Sequence, residues 1–201
     1  MIILDCEQGS DEWFDARIGV ASASNFAKII SPTGKKSTQS KGYMNQLIAE
    51  KMMNKKTETH QSEAMLRGIE LEVEAREWYE FNNDCDVNEV GLVYLDESRL
   101  ISCSPDGLLK DKGLEIKCPM PSTQIEYLRS GKIPTKYIPQ VQGSMLVTGL
   151  KQWDFLSYHP EIKPFLITVD ADLDYQAKMS IYIADFVEEM QAAIKQIKGE
   201  I

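Results

Sequence analysis

The stretch from Ser102 to Pro119 reads Ser-Cys-Ser-Pro-Asp-Gly-Leu-Leu-Lys-Asp-Lys-Gly-Leu-Glu-Ile-Lys-Cys-Pro, and it leaves the chain few ways to fold. Asp106 stands between Pro105 and Gly107, which places it at a bend where a strand ends. Residues 110–113 are rich in turn formers, and Leu114 and Ile116 favour a strand beyond them. Side chains alternate faces along a strand, so Glu115 and Lys117 project from one face and Ile116 from the other, into the core. A hairpin closed at 110–113 returns Asp106 to the side of Glu115. Two carboxylates and one ammonium group then meet at one point.

Such a set suits metal-assisted phosphodiester hydrolysis. Two carboxylates are hard ligands for Mg²⁺, which keeps several waters and takes up substrate phosphate oxygens. The metal lowers the pKa of a bound water and offsets charge at phosphorus, and a nearby lysine orients that water or stabilises the transition state. In isolation, an Asp…Glu-x-Lys pattern equally describes a surface hairpin with one Glu–Lys pair, because these residues crowd turns.

Context separates the two readings. Pro105-Asp106, nine residues before Glu115, and then Glu-Ile-Lys in an apolar strand resemble the PD-(D/E)xK nuclease superfamily. The fuller strings Cys-Ser-Pro-Asp-Gly-Leu and Gly-Leu-Glu-Ile-Lys-Cys-Pro are similar to one branch of it, the phage lambda exonuclease family, also called YqaJ-like viral recombinases.

Three other segments carry parts of the same resemblance. Near the N-terminus, Ser10 or Asp11 caps a short helix carrying Trp13, and Gly19 ends it. Ser22 or Ser24 then caps a second helix that buries Phe26, Ile29 and Ile30. Backbone N–H groups at a helix start attract phosphate, and Arg17 is near enough in sequence to add a bidentate contact. Taken alone, this is an ordinary capped helix with an arginine ion pair. The pattern Trp13-x3-Arg17-x-Gly19-x4-Ser24 resembles the family's N-terminal motif, which implies that Arg17 and Ser24 bind the 5′ phosphate of a DNA strand.

Residues 62–83 predict a helix with Met65, Ile69, Val73 or Ala75, Trp78 and Phe81 as apolar positions. Its glutamates at 70, 72, 74, 77 and 80 fit a wet acidic face, with a Glu72–Arg76 pair at i,i+4. Arg67-Gly-Ile-Glu-Leu-Glu-Val-Glu-Ala-Arg76 resembles the family helix that brings a further acid to the metal site, which implies Glu72, with Glu70 as the alternative. A helix from Pro139 to Thr148 follows later, with proline suited to its first turn. Gln140 and Gln142 are two apart and do not share a face, so one at most reaches the site. Tyr137-Ile-Pro-Gln-Val-Gln-Gly-Ser-Met resembles the segment whose glutamine approaches the catalytic lysine and water, and Gln142 is assigned that place.

The remaining elements are a strand over Cys85–Leu95, a return strand over Leu100–Ser104 and a helix over Ser122–Ser130. Strands at Lys151–Tyr158 and Phe165–Val169 follow. A last helix from about Asp172 to Lys198 uses Ile181, Ile183, Phe186, Met190, Ile194 and Ile197. Residues 32–39 and Asn54–Gln61 are loops. An earlier helix spans Tyr43–Met53, with Leu47, Ile48 and Met52 at helical spacing. This order suits an α/β fold. The resemblance, over roughly residues 8–158, implies a restriction-endonuclease-like PD-(D/E)xK core with a mixed central sheet flanked by helices, and a length of 201 residues suits one domain over 1–201.

Composition bounds the rest. No apolar run approaches the roughly 18 residues a membrane helix needs, and the N-terminus lacks the marks of a signal peptide. The expected place is the cytoplasm of the producing cell, a bacterial host if the chain is phage-encoded. The four cysteines form no C-x-x-C pair and read as free thiols, without structural zinc and without the closely spaced set of an iron–sulfur site. Net charge is −9, although DNA affinity rests on cations at phosphates. Residues 28–56 concentrate seven lysines against a single acid, Glu50, which supplies a local basic surface.

The resemblance implies a Mg²⁺-dependent 5′-to-3′ exonuclease, with Mn²⁺ as a substitute, acting on linear double-stranded DNA with 5′-phosphate ends. Asp106, Glu115, the Ile116 carbonyl and Glu72 would hold the metals, Lys117 would place the water, and Gln142 would assist. It also implies a ring-shaped homotrimer and a phage-type single-strand annealing partner. Two further readings stay open. One is an endonuclease or junction resolvase on the same core. The other is an inactive DNA-binding module, against which the intact Asp–Glu–Lys set argues.

Overall fold

A computed structural model of the protein describes residues 1–57 and 63–200, with side chains from residue 66 onward in the second stretch. The expected loop residues 58–61 and the Met65 side chain therefore lie outside the described residues. In chain order the elements are β1 (Ile2–Leu4), α1 (Asp11–Ala16), β2 (Ala21–Ser22), a 3-10 helix (Ala23–Lys28), α2 (Ser40–Met53) and α3 (Glu63–Asn83). Then come β3 (Leu92–Tyr94), β4 (Ile101–Cys103), β5 (Gly107–Leu108), β6 (Lys112–Lys117) and α4 (Pro121–Ser130). A 3-10 turn at Thr135–Tyr137 leads into α5 (Ile138–Thr148), followed by β7 (Gln152–His159), β8 (Ile162–Asp170) and α6 (Leu173–Lys198).

The fold class is the expected mixed α/β core, with the strands divided between two four-stranded sheets rather than joined in one. The first runs β1-β3-β4-β2, and its β2–β4 pair is parallel. The second runs β5-β6-β7-β8. There β5–β6 is the anticipated antiparallel hairpin, its turn at 109–111 rather than 110–113, and β6–β7 is parallel, reached by a crossover through α4 and α5. Parallel neighbours need such a crossover. Asp106 occupies the bend between β4 and β5, where the chain leaves one sheet for the other.

Helix α5 lies at the centre, packed on β3 and β4 of the first sheet and on β6 and β7 of the second. Its Gly143 permits the Phe26 ring to rest on the helix backbone, since a Cβ there would come within 2.3 Å of that ring. This seats the 3-10 helix, and the β2 end that precedes it, beside α5.

Helix α3 covers the opposite face of β6 and β7 and corrects the expected apolar stripe. Ala75 and Tyr79 are fully buried against Leu114, Ile116, Leu156 and Tyr158, while Ile69, Val73 and Phe81 are exposed. Of the expected positions, Ala75, given there as the alternative to Val73, and Trp78 do pack on this face, with Tyr79 as the unforeseen large residue. The strand expected over Cys85–Leu95 shortens to Leu92–Tyr94, preceded by a single bridge from Asn88 to Leu108. The sequence reading did not anticipate β1. In α6, Ile183, Phe186 and Met190 are buried, but Ile181 and Ile197 face solvent, as does Met52 in α2.

Candidate active site

The hairpin brings the central charges together as the alternation requires. Asp106 N–H donates to the Leu114 carbonyl at 3.2 Å, and Asp106 Oδ2 accepts from the Ile116 N–H at 2.6 Å. Leu114 and Ile116 thus present their backbone groups to the same edge of β6, beyond the point where the short β5 stops. The Ile116 carbonyl faces that edge as well, beside the Asp106 carboxylate. On the α5-facing side of β6, Lys117 Nζ is ion-paired with Glu115 Oε1. Gln140 Nε2 donates to the same oxygen at 2.5 Å.

Glu115 is almost completely buried, and its second oxygen, Oε2, is buried with no hydrogen-bond partner among the described residues. Burial pushes its carboxyl up to about 7; Lys117 opposes that and the Asp106 charge adds to it. Burial, and after it the charge of Asp106, likewise pushes Glu72 up to about 7, against the pull of Arg76 and Lys117. Asp106 is raised too, chiefly by burial, in spite of Lys117 and the Ile116 N–H. Lys117 moves the other way. Its burial disfavours the charge, but Glu115 and Asp106 outweigh that and hold the ammonium above its usual range.

Asp106, Glu115 and Glu72, with Lys117 and Arg76 as their cations and one bare buried oxygen, form a donor set that carries more negative than positive charge. Among the described residues, no three His, Cys, Asp or Glu side chains close around a common point as a complete cage. Mg²⁺ is held by one or two carboxylates with waters and substrate completing the shell. The donors present suit a divalent cation: the Asp106 carboxylate, the unpartnered Glu115 Oε2 and the Ile116 carbonyl along β6, with Glu72 near enough to feel the Asp106 charge.

Glu72 reaches this place because it shares the buried face of α3 with Ala75, Arg76 and Tyr79, at the i, i+3, i+4, i+7 spacing. The expected Glu72–Arg76 pair is present at 3.1 Å, and Arg76 also binds Glu89 at 2.8 Å and the Asp106 carbonyl at 3.3 Å. The alternative, Glu70, is exposed. The glutamine assignment is corrected. Gln142 donates to the Asp170 carbonyl at 2.9 Å and accepts from the Asp172 N–H at 2.9 Å, so it ties α5 to the start of α6. Gln140, two residues earlier on another face of α5, is the one at Glu115. The spacing argument that only one could reach the site holds, but nothing in the local sequence says which.

Arg17 and Ser24 stand on the first sheet's side of Asp106. The Arg17 guanidinium lies 3.9 Å from the centroid of the Trp13 ring, and Arg17 Nε is buried without a hydrogen-bond partner among the described residues. Burial holds its pKa below the usual value, against Tyr43 and Glu50. Trp13 Nε1 donates to the Gly91 carbonyl at 2.9 Å and to Ser104 Oγ at 3.1 Å. Ser104 precedes Asp106 by two residues, so the tryptophan under Arg17 is fastened to the segment that carries Asp106. The sequence reading left Ser104 without a role. Ser10, one of the two expected caps, does cap α1 and accepts from the Trp13 N–H at 3.3 Å. Ser22 precedes the 3-10 helix without a side-chain capping bond, and its Oγ lies 3.2 Å from Ser24 Oγ. Because Ser22 is in parallel register with Ser102, Ser24 follows β2 in the direction in which β4 leads to Asp106.

Other sequence expectations have plainer outcomes. All four cysteines are free. Among the described residues no helix is long and apolar enough to cross a membrane.

Comparison with known proteins places the chain in a family. The family model of the YqaJ-like viral recombinase domain matches residues 12–151. The alkaline exonuclease LHK-Exo from Laribacter hongkongensis superposes with a TM-score of 0.86 at 32% identity, over 95% of this chain and 97% of that one. A structure of LHK-Exo in complex with dAMP gives the same values. A phage-related exonuclease from Haemophilus somnus 129PT shares the fold, with a TM-score of 0.65 at 16% identity over 90% of this chain and 96% of that one. No curated protein matches the sequence. These likenesses support a nuclease function, and the chain belongs to the YqaJ-like viral recombinase family, with a PD-(D/E)xK fold of the lambda exonuclease type.

Proposed function

We propose that the protein is a Mg²⁺-dependent exonuclease that digests linear double-stranded DNA from 5′ ends and releases 5′-mononucleotides. The observation that carries this reading is the edge of β6, where Asp106, the Ile116 carbonyl and the bare Glu115 Oε2 adjoin an ammonium group fixed by Glu115. A divalent cation held by Asp106, Glu115, Ile116 and Glu72 would polarise the phosphodiester and acidify a bound water. Lys117 keeps its charge under two carboxylates, so it acts as a fixed donor that places the water and offsets charge at phosphorus, rather than as a base. Gln140 holds the Glu115 oxygen that Lys117 also uses, which keeps the ammonium in one position. Arg17, stacked on Trp13 with Nε unpaired, is suited to a terminal phosphate, and Ser24 supplies a hydroxyl on the same side. LHK-Exo binds dAMP, a deoxynucleoside monophosphate, and that is the product class this reading requires.

The 3′ strand left behind is the natural substrate of a phage-type annealing protein. A ring-shaped homotrimer would gather the lysines of residues 28–56 around DNA within an acidic exterior. Helix α3 supports assembly: Leu66, Ile69 and Val73 lie exposed at i, i+3, i+7, and Phe81 is 87% exposed beyond them. A strictly monomeric protein that remains processive would remove the ring.

The decisive experiment compares linear duplexes, labelled at one end and bearing 5′ phosphate or 5′ hydroxyl, with closed circular duplex, in Mg²⁺ and in EDTA. Metal-dependent loss of the 5′-ended strand alone, fastest from a phosphate, is expected. Cutting of the circle would move the function to an endonuclease, and binding without cleavage under any metal would leave a DNA-binding module.

A further inference from the structure

The single acid in the lysine-rich segment 28–56 is Glu50, and the structure buries it completely. A buried carboxylate needs partners, and this one has four. Its Oε2 accepts from the Gly19 N–H at 3.1 Å and from Lys56 Nζ at 2.8 Å. Its Oε1 accepts from Gln46 Nε2 at 3.0 Å and from the Thr57 N–H at 3.3 Å. Lys56 Nζ also donates to the Arg17 carbonyl at 3.3 Å. The turn from Arg17 to Gly19 is therefore held at both ends, by Glu50 directly and by Glu50 through Lys56. The turn also lies flat on α2. Gly19 has φ +62°, and a Cβ there would stand 2.5 Å from Lys51 Cγ and 3.0 Å from the Leu47 carbonyl.

None of these groups is hydrogen-bonded or ion-paired to the Arg17 guanidinium, which rests on Trp13 with Nε unpaired, although the Glu50 charge acts on it through space. What they determine is where the Arg17 backbone sits and so where that guanidinium can point. We infer that Glu50 is a positioning residue for Arg17, its carboxylate fixing the Arg17–Gly19 turn through the Gly19 N–H and Lys56 so that the guanidinium is presented to a terminal phosphate. The inference rests on the reading of Arg17 as the 5′-phosphate contact. It adds that end selectivity depends on a buried acid that never meets DNA. Misplacing a binding group by about an ångström is enough to lose one or two orders of magnitude in rate.

The test measures kcat and KM on 5′-phosphorylated and 5′-hydroxyl linear duplexes for the wild type, Arg17→Ala, Glu50→Gln, Lys56→Met and Lys56→Arg, with melting temperatures beside them. The wild-type preference for phosphate is expected to fall roughly tenfold in Glu50→Gln and Lys56→Met, mainly through KM, and to return in Lys56→Arg. A parallel loss on both ends, with the preference intact, would mean that Glu50 only supports the fold. Should Glu50→Gln not fold, Lys56→Met decides alone, because the Lys56 side chain is 29% exposed and its removal leaves no large cavity. A wild type without end preference, or an Arg17→Ala variant that keeps it, removes the Arg17 reading and this inference with it. Loss of preference in Arg17→Ala, with retention in both Glu50→Gln and Lys56→Met, removes the inference alone.

Discussion

Glu115 and Glu50 are both buried glutamates paired with a lysine, yet their surroundings push them in opposite directions. At Glu115 burial prevails: one oxygen has no partner, Asp106 stands close by, and the carboxyl is raised to about 7. At Glu50 burial pushes upward as well, but the hydrogen bonds of Lys56, Gln46 and the Gly19 N–H outweigh it and hold the carboxyl below its usual value. The difference lies in how completely each charge is satisfied. An under-satisfied buried carboxylate is a candidate for binding something else, and a fully satisfied one holds its neighbours still. On the proposed reading, the first belongs to the chemistry and the second to the geometry around it.

The sharpest way to test this contrast is Lys117→Ala. It should cut metal-dependent hydrolysis by about 10²-fold or more, the order seen when a fixed donor to a developing charge is lost, while DNA binding measured in EDTA persists. Full activity in that variant would take Lys117 out of the mechanism.

The two glutamines separate the same way. Gln140→Ala should lower kcat by roughly tenfold with little change in melting temperature, since the group braces the Glu115 oxygen that fixes Lys117. Gln142→Ala should instead cost about 1–2 kcal/mol of stability by unpairing the Asp172 N–H and the Asp170 carbonyl. The reverse outcome in paired activity and unfolding measurements would restore Gln142 to the site.

A smaller effect concerns the cation. Mg²⁺ should raise the melting temperature of the wild type by a few degrees, the stabilisation expected when a ligand binds only the folded form. Asp106→Asn should abolish that rise, whereas Glu50→Gln should keep it. A Mg²⁺ response unchanged in Asp106→Asn would place the cation elsewhere.

The smallest effect is a slope. Glu50 has a depressed folded pKa, so its stabilisation is complete above the unfolded carboxylate range of about 4.3 and is lost as pH falls through the folded value. Unfolding of Glu50→Gln should therefore depend less on pH below about 4.3 than that of the wild type. Identical acid profiles would show that the Glu50 charge carries no net stabilisation.

How far the sequence could be read depended on how local each contact is. Asp106, Glu115 and Lys117 lie in or next to one hairpin, where period-two alternation and a short turn settle the side-chain directions, and the structure brings them together as read, with the turn falling slightly earlier than 110–113. Helix α3 was legible as a helix but not in its orientation. Of the apolar positions expected there, Ala75 and Trp78 pack inward with the unforeseen Tyr79, whereas Ile69, Val73 and Phe81 are exposed. Nothing local distinguishes those positions; only the packing against β6 and β7 does so.

That choice of face carried Glu72 inward and left Glu70 in solvent. The same holds for Gln140 over Gln142, settled by where α5 meets β6 and α6, and for Glu50, which in sequence is merely the odd acid among lysines. The chain's local order thus specifies the reacting hairpin, because its contacts close within a few residues. The supporting acid, the supporting glutamine and the brace under Arg17 come from elements far apart in sequence, and their roles follow from which faces pack together.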